Sequence, residues 1–310
     1  MRPSSYGHER LNSGEALKVI TLFVGNYMAC LLRALTRAPV AQWIERHASD
    51  VEVGGSNPSG RTNSYTTIIN GHDDMKIHII MHESFEAPAA IELWAQNKGH
   101  EVTYTRLYAG DTFPEKCDFD FLVIMGGPQS PATTIAESPH FDAKKETIFI
   151  RRALDENKLV LGVCLGAQFI GEALGARFDH SPNREIGVFP LQLTEAAKHD
   201  PIFSTFPPQF MVGHWHGDMP GLTDDSEVLA VSEGCPRQIV RYTQKTYGFQ
   251  CHFEFTAEAI EGMIKNNAHE LEEYKGLPYI ETAEQLKAHN FTEMNALLYT
   301  FLDAFTAFND

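Results

Sequence analysis

From Met75 onward, short runs rich in β-branched and aromatic residues alternate with longer runs of helical periodicity. The strand-like runs are 76–81, 101–105, 121–125 and 159–163, and the helix-like runs are 88–98, 140–156 and 165–174. Buried strands separated by helices of about ten to fifteen residues form right-handed βαβ units. The pattern therefore predicts an α/β fold, namely a doubly wound, flavodoxin-like, mostly parallel sheet with helices on both faces.

Beyond Gly175 the strand content rises. Further strands are predicted at 186–193, 209–215, 227–232, 238–242 and 247–253, and two helices at 256–267 and 292–308 close the chain. The stretch from Glu270 to Asn290 receives no assignment, so a lid, a docking surface and simple packing all stay open. No internal repeat interrupts this organisation.

Residues 1–74 have a different character. They contain seven basic and seven acidic residues, so the net charge of −16 belongs entirely to the chain from Met75. The apolar patch 19–32 is too short to span a bilayer, and a signal peptide is not favoured because no good cleavage site follows it. Residues 37–63 resemble the peptide read when translation is assigned across a transfer-RNA gene. We expect 1–74 to be a non-native, disordered or membrane-targeting extension, and 75–310 to be one domain with a C-terminal helical extension.

The charge and the cysteines limit the partners and the compartment. A strongly acidic chain is not expected to bind nucleic acid or an anionic membrane, which leaves small molecules and proteins as partners. The five cysteines are odd in number and widely spaced, which predicts a reducing, cytoplasmic location. No cofactor is expected. No metal site is expected either, because the pairs His214/His216 and His78/His82 lack a third ligand at matching spacing.

The motif Gly162-Val163-Cys164-Leu165-Gly166 joins a predicted strand to a predicted helix. Ligands of parallel sheets bind beyond the carboxyl ends of the strands, which is where Cys164 is placed. The motif is the thiol version of the G-x-S-x-G nucleophile elbow, and the helix N-terminus favours a thiolate. A buried structural cysteine is the alternative interpretation.

Two further motifs favour the interpretation of Cys164 as a nucleophile over that of a structural cysteine. His252 and Glu254 lie two apart near the end of the last predicted strand, so both face one side and the carboxylate can orient the imidazole. The two glycines of MGGP, residues 125–128, let the backbone approach a substrate. The N–H groups of Gly127 and Leu165 are then available to hold an oxyanion.

The series VIMGGP, GVCLGAQ, GHWHGD and GFQCHFEFT resembles the class I glutamine amidotransferases, most closely the glutaminase domain of GMP synthases and its stand-alone relatives. The resemblance covers roughly residues 75–267. It implies a catalytic triad of Cys164, His252 and Glu254 with an oxyanion hole from Gly127 and Leu165. It also implies substrate-binding residues, which are Gln168, Trp215, His216, Gly217 and Asp218.

The resemblance implies that Cys164 attacks the side-chain amide of glutamine and forms a γ-glutamyl thioester, which releases glutamate and ammonia. A synthetase subunit that receives the ammonia is the implied partner. Two departures matter: Phe253 stands where the family usually has proline, and no Ser-Gly-Gly-Val-Asp type loop follows Asn267. GMP synthesis by this chain alone is therefore not expected. A stand-alone γ-glutamyl peptidase with the same triad and a non-catalytic binding protein with the same fold remain alternatives.

Overall fold

The computed structural model describes residues 74–309. Its strands are β1 (Lys76–Met81), β2 (Glu101–Arg106), β3 (Phe121–Ile124), β4 (Leu159–Val163), β5 (Asp179–Leu193), β6 (Gln209–Met219), β7 (Glu227–Val231), β8 (Ile239–Thr243) and β9 (Thr246–Phe249). Its α-helices are α1 (Ala90–Lys98), α2 (Ala143–Asp155), α3 (Leu165–Ala173), α4 (Ala257–Asn266), α5 (Ala268–Glu273), α6 (Ala283–Ala288) and α7 (Thr292–Thr306). The prediction for residues 1–74 lies outside this part of the chain, apart from Asp74.

The strands of this part of the chain belong to one sheet in the order β2-β1-β3-β4-β9-β8-β7-β5-β6. The five strands from β2 to β9 pair in parallel, and this half has the doubly wound order that the alternating pattern predicts. The strands that follow Gly175 extend the same sheet with antiparallel pairings. The predicted α/β class is therefore confirmed, and the β-rich second half is an antiparallel continuation of the sheet.

Helices cover both faces of the parallel half, as predicted. Ile77 and Ile79 of β1 pack in one apolar cluster together with residues of α1, α4 and α7. Ile80 points the other way and packs with residues of α2 and α3. Strands buried on both faces read as continuous apolar runs, which is why β1, β3 and β4 were recognisable in the sequence. Within residues 74–309, no helix is long and apolar enough to cross a membrane.

The last strand is shorter than the sequence analysis expects. It ends at Phe249, so His252 and Glu254 do not lie on it. The chain leaves β9 because residues 251–254 turn toward β6, where His252 forms an isolated antiparallel bridge with Gly213. Two backbone hydrogen bonds hold this bridge, with N···O distances of 3.1 and 2.8 Å. The prediction that a strand positions this pair is wrong, and a single β-bridge does so instead.

The stretch that received no assignment from the sequence contains α5 and α6. Helix α6 begins with a capping box, in which Thr282 and Gln285 each bond the backbone of the other. Helix α7 closes the domain because its aromatic side chains enter the core. The Phe301 ring lies 4.7 Å from the Phe249 ring, centroid to centroid.

The crossing of α3 over β3 generates a stability prediction. An alanine Cβ at Gly166 would lie 2.1 Å from the Ile124 carbonyl oxygen, which belongs to the backbone and cannot move aside. We expect Gly166→Ala to destabilise the domain by about 3 kcal/mol or more in urea unfolding. Gly262→Ala in α4 is the matched control, since its Cβ would meet nothing closer than 4.0 Å. The control should be neutral or stabilising by about 0.5–1 kcal/mol. Equal effects of the two substitutions would contradict this account.

Candidate active site

Cys164 occupies a sharp turn between β4 and α3. Its φ of 51° is positive, a conformation that costs a residue with a Cβ about 1–3 kcal/mol. The turn is possible because Gly162 and Gly166 cross closely: a Cβ on Gly162 would lie 2.3 Å from the Gly166 carbonyl oxygen. The strained turn places the thiol at the carboxyl edge of the parallel strands, beside the first N–H groups of α3.

The sulfur of Cys164 is buried, with 6% of the residue exposed. Gln250 donates its side-chain N–H to Sγ at 3.4 Å, and the thiol lies 3.7 Å from the Trp215 carbonyl oxygen. Burial raises the pKa of the thiol, while His252 and the backbone N–H of Leu165 oppose that rise. The thiolate therefore depends on these two neighbours.

His252 and Glu254 form a buried pair beside the thiol. The Nδ1 atom of His252 lies 2.6 Å from Oε1 of Glu254, and the two residues are 0% and 3% exposed. The ring also stacks on Phe255 at 4.3 Å between centroids. Burial lowers the pKa of His252, but Glu254 and Cys164 together raise it well above its ordinary value. Among the described residues the other nitrogen, Nε2, has no hydrogen-bond partner, so it is available for proton exchange with the sulfur.

A second buried histidine supports the glycine pair at the end of β3. His82 places Nδ1 2.9 Å from the Gly126 carbonyl oxygen and Nε2 2.9 Å from a Glu146 carboxylate oxygen. Both ring nitrogens face oxygen atoms, an arrangement that favours an imidazolium that donates to each of them. Burial lowers the pKa of His82, and the Glu146 carboxylate more than reverses that effect. His82 thereby fixes the peptide unit that joins Gly126 to Gly127.

A cavity of about 260 Å³ opens over Cys164. It brings together the substrate-binding candidates and one oxyanion candidate from the sequence analysis, which are Gly127, Gln168, Trp215, His216, Gly217 and Asp218. Leu165 lies next to Gly127, since a Cβ on that glycine would be 3.0 Å from Leu165 Cδ2. Seven of the ten predicted site residues thus line one pocket, and the other three, Leu165, His252 and Glu254, are not among its lining residues.

Several of these side chains are already held by other residues. Gln168 donates to Gln250 Oε1 at 3.2 Å, and its own Oε1 has no partner within residues 74–309. The indole N–H of Trp215 donates to Glu270 at 2.7 Å. Asp218 accepts from His180 at 2.7 Å. The pocket wall is therefore held by hydrogen bonds among the described residues, and Oε1 of Gln168 is available to accept one more.

Four residues that shape the pocket were not predicted from the sequence. Arg184 pairs with Glu270, and the absence of a side chain on Gly217 makes room for its guanidinium. Gln250 contacts both the thiol and Gln168, and its position two residues before His252 was the available signal. Glu86 follows β1 in a loop and has no motif around it. Glu270 belongs to the stretch whose role the sequence left open, so part of that stretch forms a pocket wall.

The histidine pairs considered for metals have different surroundings. His78 bonds the hydroxyls of Thr103 and Thr105 at 2.8 and 2.9 Å. The pair His214 and His216, by contrast, meets the carboxylate of Glu185. Glu185 is the third ligand-type residue that the sequence did not supply, because it comes from β5. Within the described residues, this is the one group of three or more ligand-type side chains whose atoms lie within 4.8 Å of one another.

Glu86 lines the pocket as a nearly buried carboxyl group. A Cβ on Gly126 would lie 2.6 Å from its Oε2 and 3.4 Å from the Cys164 Cβ, so the two side chains are neighbours. Burial raises the pKa of Glu86 to about 7, with His252 opposing and Glu254 adding to the rise. The carboxyl group therefore titrates close to neutral pH next to the thiol.

The chain matches the family model described as "Glutamine amidotransferase class-I" over residues 77–271. The glutamine amidotransferase-like protein YfeJ of Salmonella typhimurium is 48% identical over 233 residues, which are 75% of this chain and 98% of YfeJ. The glutamine-hydrolysing GMP synthase of Natronomonas pharaonis has a subunit that is 31% identical over 165 residues, or 52% of this chain and 81% of that subunit. The crystal structure of SMU.1228c superposes with a TM-score of 0.73 at 47% identity, covering 75% of this chain and 100% of that one.

The buried carboxyl group of Glu86 predicts a pH-dependent stability. Because its pKa is raised on folding from 4.5 to about 7, its contribution is fully present below pH 4.5 and is lost as the pH rises through 7. Between pH 5 and pH 8, the free energy of unfolding of the wild-type protein should therefore fall by about 2–3 kcal/mol relative to that of Glu86→Gln. Urea unfolding of both proteins at the two pH values measures this difference.

Exposed Glu258→Gln is the control and should track the wild type within about 0.5 kcal/mol. The comparison isolates Glu86, since the other titrating groups are common to all three proteins. A Glu86→Gln protein with the same pH dependence as the wild type would contradict the shifted pKa.

Proposed function

The chain belongs to the class I glutamine amidotransferase family, and on that premise we propose that it hydrolyses the γ-amide of glutamine or of a γ-glutamyl compound through a thioester on Cys164. The observation that carries the proposal is the buried row Cys164, His252 and Glu254 at the rim of the sheet. In that row one imidazole nitrogen is bound to a carboxylate, and the other has no partner among the described residues and lies beside a strained thiol. This is the arrangement that nucleophilic catalysis by cysteine requires.

In the first step the Cys164 thiol gives its proton to Nε2 of His252, and the sulfur attacks the amide carbon. Glu254 holds Nδ1 and stabilises the imidazolium that forms. The carbonyl π-bond breaks and leaves a tetrahedral intermediate with a negative oxygen. Collapse of the intermediate re-forms the carbonyl and expels the amide nitrogen, which takes the proton from His252 and leaves as ammonia, or as the amine of a γ-glutamyl compound.

The negative oxygen is held by the N–H groups of Gly127 and Leu165. A donor of this kind contributes roughly 3 kcal/mol to the barrier reduction. His82 is a positioning residue for it, because the peptide unit from Gly126 to Gly127 is planar and trans. When His82 binds the Gly126 carbonyl on one side, the Gly127 N–H is directed to the other side. The charge on His82 also polarises that peptide and strengthens its N–H as a donor.

The second step mirrors the first. His252 removes a proton from a water molecule, the resulting hydroxide attacks the thioester carbon, and the Cys164 thiolate departs. The product is glutamate for either substrate, because the γ-glutamyl group is the acyl part of both. Gln168, Trp215, His216, Gly217 and Asp218 line the space for the amino-acid end of the substrate.

The pocket also favours a second class of substrate. Four carboxyl groups line it, from Glu86, Asp218, Glu270 and Glu273, against one guanidinium from Arg184, counted within residues 74–309. Such a rim suits a γ-glutamyl amide whose leaving amine carries a positive charge. A partner synthetase that consumes ammonia is the other possibility, which the name of the Natronomonas pharaonis relative supports. The family membership and the available Nε2 both argue against a non-catalytic binding protein.

The proposal predicts loss of turnover without Cys164. Cys164→Ala should lower the release of glutamate from glutamine, or from γ-glutamyl amides of cationic amines, by at least about 10³-fold. Cys117→Ala is the matched control, because Cys117 is also buried but packs on the opposite face of the sheet. A glutamine-mimicking electrophile should label Cys164, located by mass spectrometry. No label at Cys164 and no turnover of any of these substrates would overturn the proposal.

The role given to His82 has its own test. The double variant His82→Gln, Glu146→Gln keeps a neutral hydrogen-bonded pair but removes the charge. It should lower kcat by about 10- to 10³-fold with little change in KM. Alkylation of Cys164 by iodoacetamide needs no oxyanion and should proceed at the wild-type rate. A matching fall in alkylation, or an unchanged kcat, would show that His82 does not act through the Gly127 peptide.

A further inference from the structure

Glu185, His214 and His216 meet in the interior between β5 and β6. Glu185 is opposite His216 in the antiparallel register, and His214 is opposite Gly187, beside which the Phe189 ring packs. His214 and His216 are two residues apart, so they project from the same face of β6. The three side chains are 0–1% exposed, and His216 reaches the wall of the pocket over Cys164.

The spacing of the donor atoms suits a small metal ion. Nε2 of His216 lies 3.2 Å from Oε2 of Glu185, and Nδ1 of His214 lies 3.6 Å from the same oxygen. Donors bound tetrahedrally at about 2.0–2.1 Å are separated by about 3.3–3.4 Å, so both nitrogens lie at a suitable distance from this carboxylate group, whose other oxygen, Oε1, accepts no hydrogen bond from the described residues. The ligand atoms of the three residues all lie within 4.8 Å of one another.

Several buried polar atoms of this cluster have no hydrogen-bond partner. Within the described part of the chain, neither ring nitrogen of His214 has a partner, and Nδ1 of His216, Oε1 of Glu185 and Oε1 of Gln238 also lack one. Each buried polar atom without a partner costs free energy, and native proteins rarely contain several together. Five such atoms around one carboxylate make this cluster a candidate site for a bound ion.

The charge of the cluster leads to the same conclusion. Within residues 74–309, the carboxylate of Glu185 pairs with His214 and His216 and with no lysine or arginine. Protonation of His216 would neutralise the charge of Glu185, but both ring nitrogens of His214 would still have no hydrogen-bond partner among the described residues. A divalent cation supplies the charge and also uses the lone pair of His214.

A set of outer residues restrains the carboxylate as metal sites require. The side-chain N–H of Gln238 lies 2.6 Å from Oε2 of Glu185 and 3.1 Å from Nε2 of His216, so it moves aside when an ion binds, and the hydroxyl of Ser232 donates to Oε2 at 2.8 Å. Such partners fix the orientation of a ligand and raise affinity. Oε1 of Glu185 accepts no hydrogen bond from the described residues and is available to bind an ion.

We propose that Glu185, His214 and His216 form a metal site that binds one divalent transition ion, with Zn²⁺ as the best match. Two imidazoles and one carboxylate are a donor set that zinc uses, whereas Mg²⁺ and Ca²⁺ prefer oxygen ligands alone. The bound ion joins β5 to β6 directly behind Trp215. The ion enters from the pocket, where His216 is a lining residue.

The test uses full-length protein without a histidine tag, stripped with a chelator and dialysed. Titration with Zn²⁺ should show about one equivalent bound per chain, and Co²⁺ should give the visible d–d absorption of a nitrogen- and oxygen-ligated ion. Mg²⁺ should not compete. Glu185→Gln and His214→Leu should each weaken binding by more than about 100-fold, and Gln238→Leu by about 10- to 100-fold. His199→Gln, at an exposed histidine, should bind as the wild type does.

A measurement of thermal stability distinguishes loss of the metal site from misfolding of a variant that binds no metal. His214→Leu removes an unpaired polar group, so the metal-free variant should melt above the metal-free wild type. Zn²⁺ should raise Tm of the wild type and leave His214→Leu unchanged. The proposal is overturned if stripped wild-type protein binds less than about 0.1 equivalent of Zn²⁺, or if His214→Leu keeps the wild-type stoichiometry and cobalt spectrum.

Discussion

The close contact between the first turn of α3 and the end of β3 is the constraint on which the site depends. Gly166 approaches the Ile124 carbonyl so closely that no side chain fits between them. That approach draws the helix N-terminus down to the sheet edge and forces Cys164 into a positive φ. The thiol, the Leu165 N–H and the glycine pair that follows β3 then converge on one point. A site built on helix and strand ends in this way is held more rigidly than one built on loops.

Two buried histidines near the thiol differ in how many ring nitrogens the described residues occupy. His82 has both nitrogens bound, one to the Gly126 carbonyl and one to Glu146, so it holds its proton and acts as a fixed charge. His252 has one nitrogen bound to Glu254, and within residues 74–309 the other has no partner. A ring with an available nitrogen can exchange a proton with the sulfur, whereas a fully bonded ring cannot. The different roles of His82 and His252 therefore follow from the number of ring nitrogens that are hydrogen-bonded.

The sequence predicted the parallel half of the sheet well because buried parallel strands are unbroken apolar runs, as β3 and β4 show. It also located Cys164, since the flanking glycines signal a turn that larger residues cannot make. The association of His252 with Glu254 was expected from strand geometry, yet β9 ends at Phe249 and the bridge to Gly213 positions the pair.

Contacts that depend on tertiary structure were beyond reach. The approach of Glu185 to His214 and His216 depends on the β5–β6 register, which no short turn motif between these strands indicates. Likewise Glu270 reaches Trp215 across 55 residues of chain.

The burial of Cys164 also affects how readily the thiol is oxidised. Oxidation by peroxide proceeds through an exposed thiolate, and here the sulfur is enclosed and its ionisation is held back by burial. We therefore expect the resting thiol to react with peroxide more slowly than an exposed thiolate does.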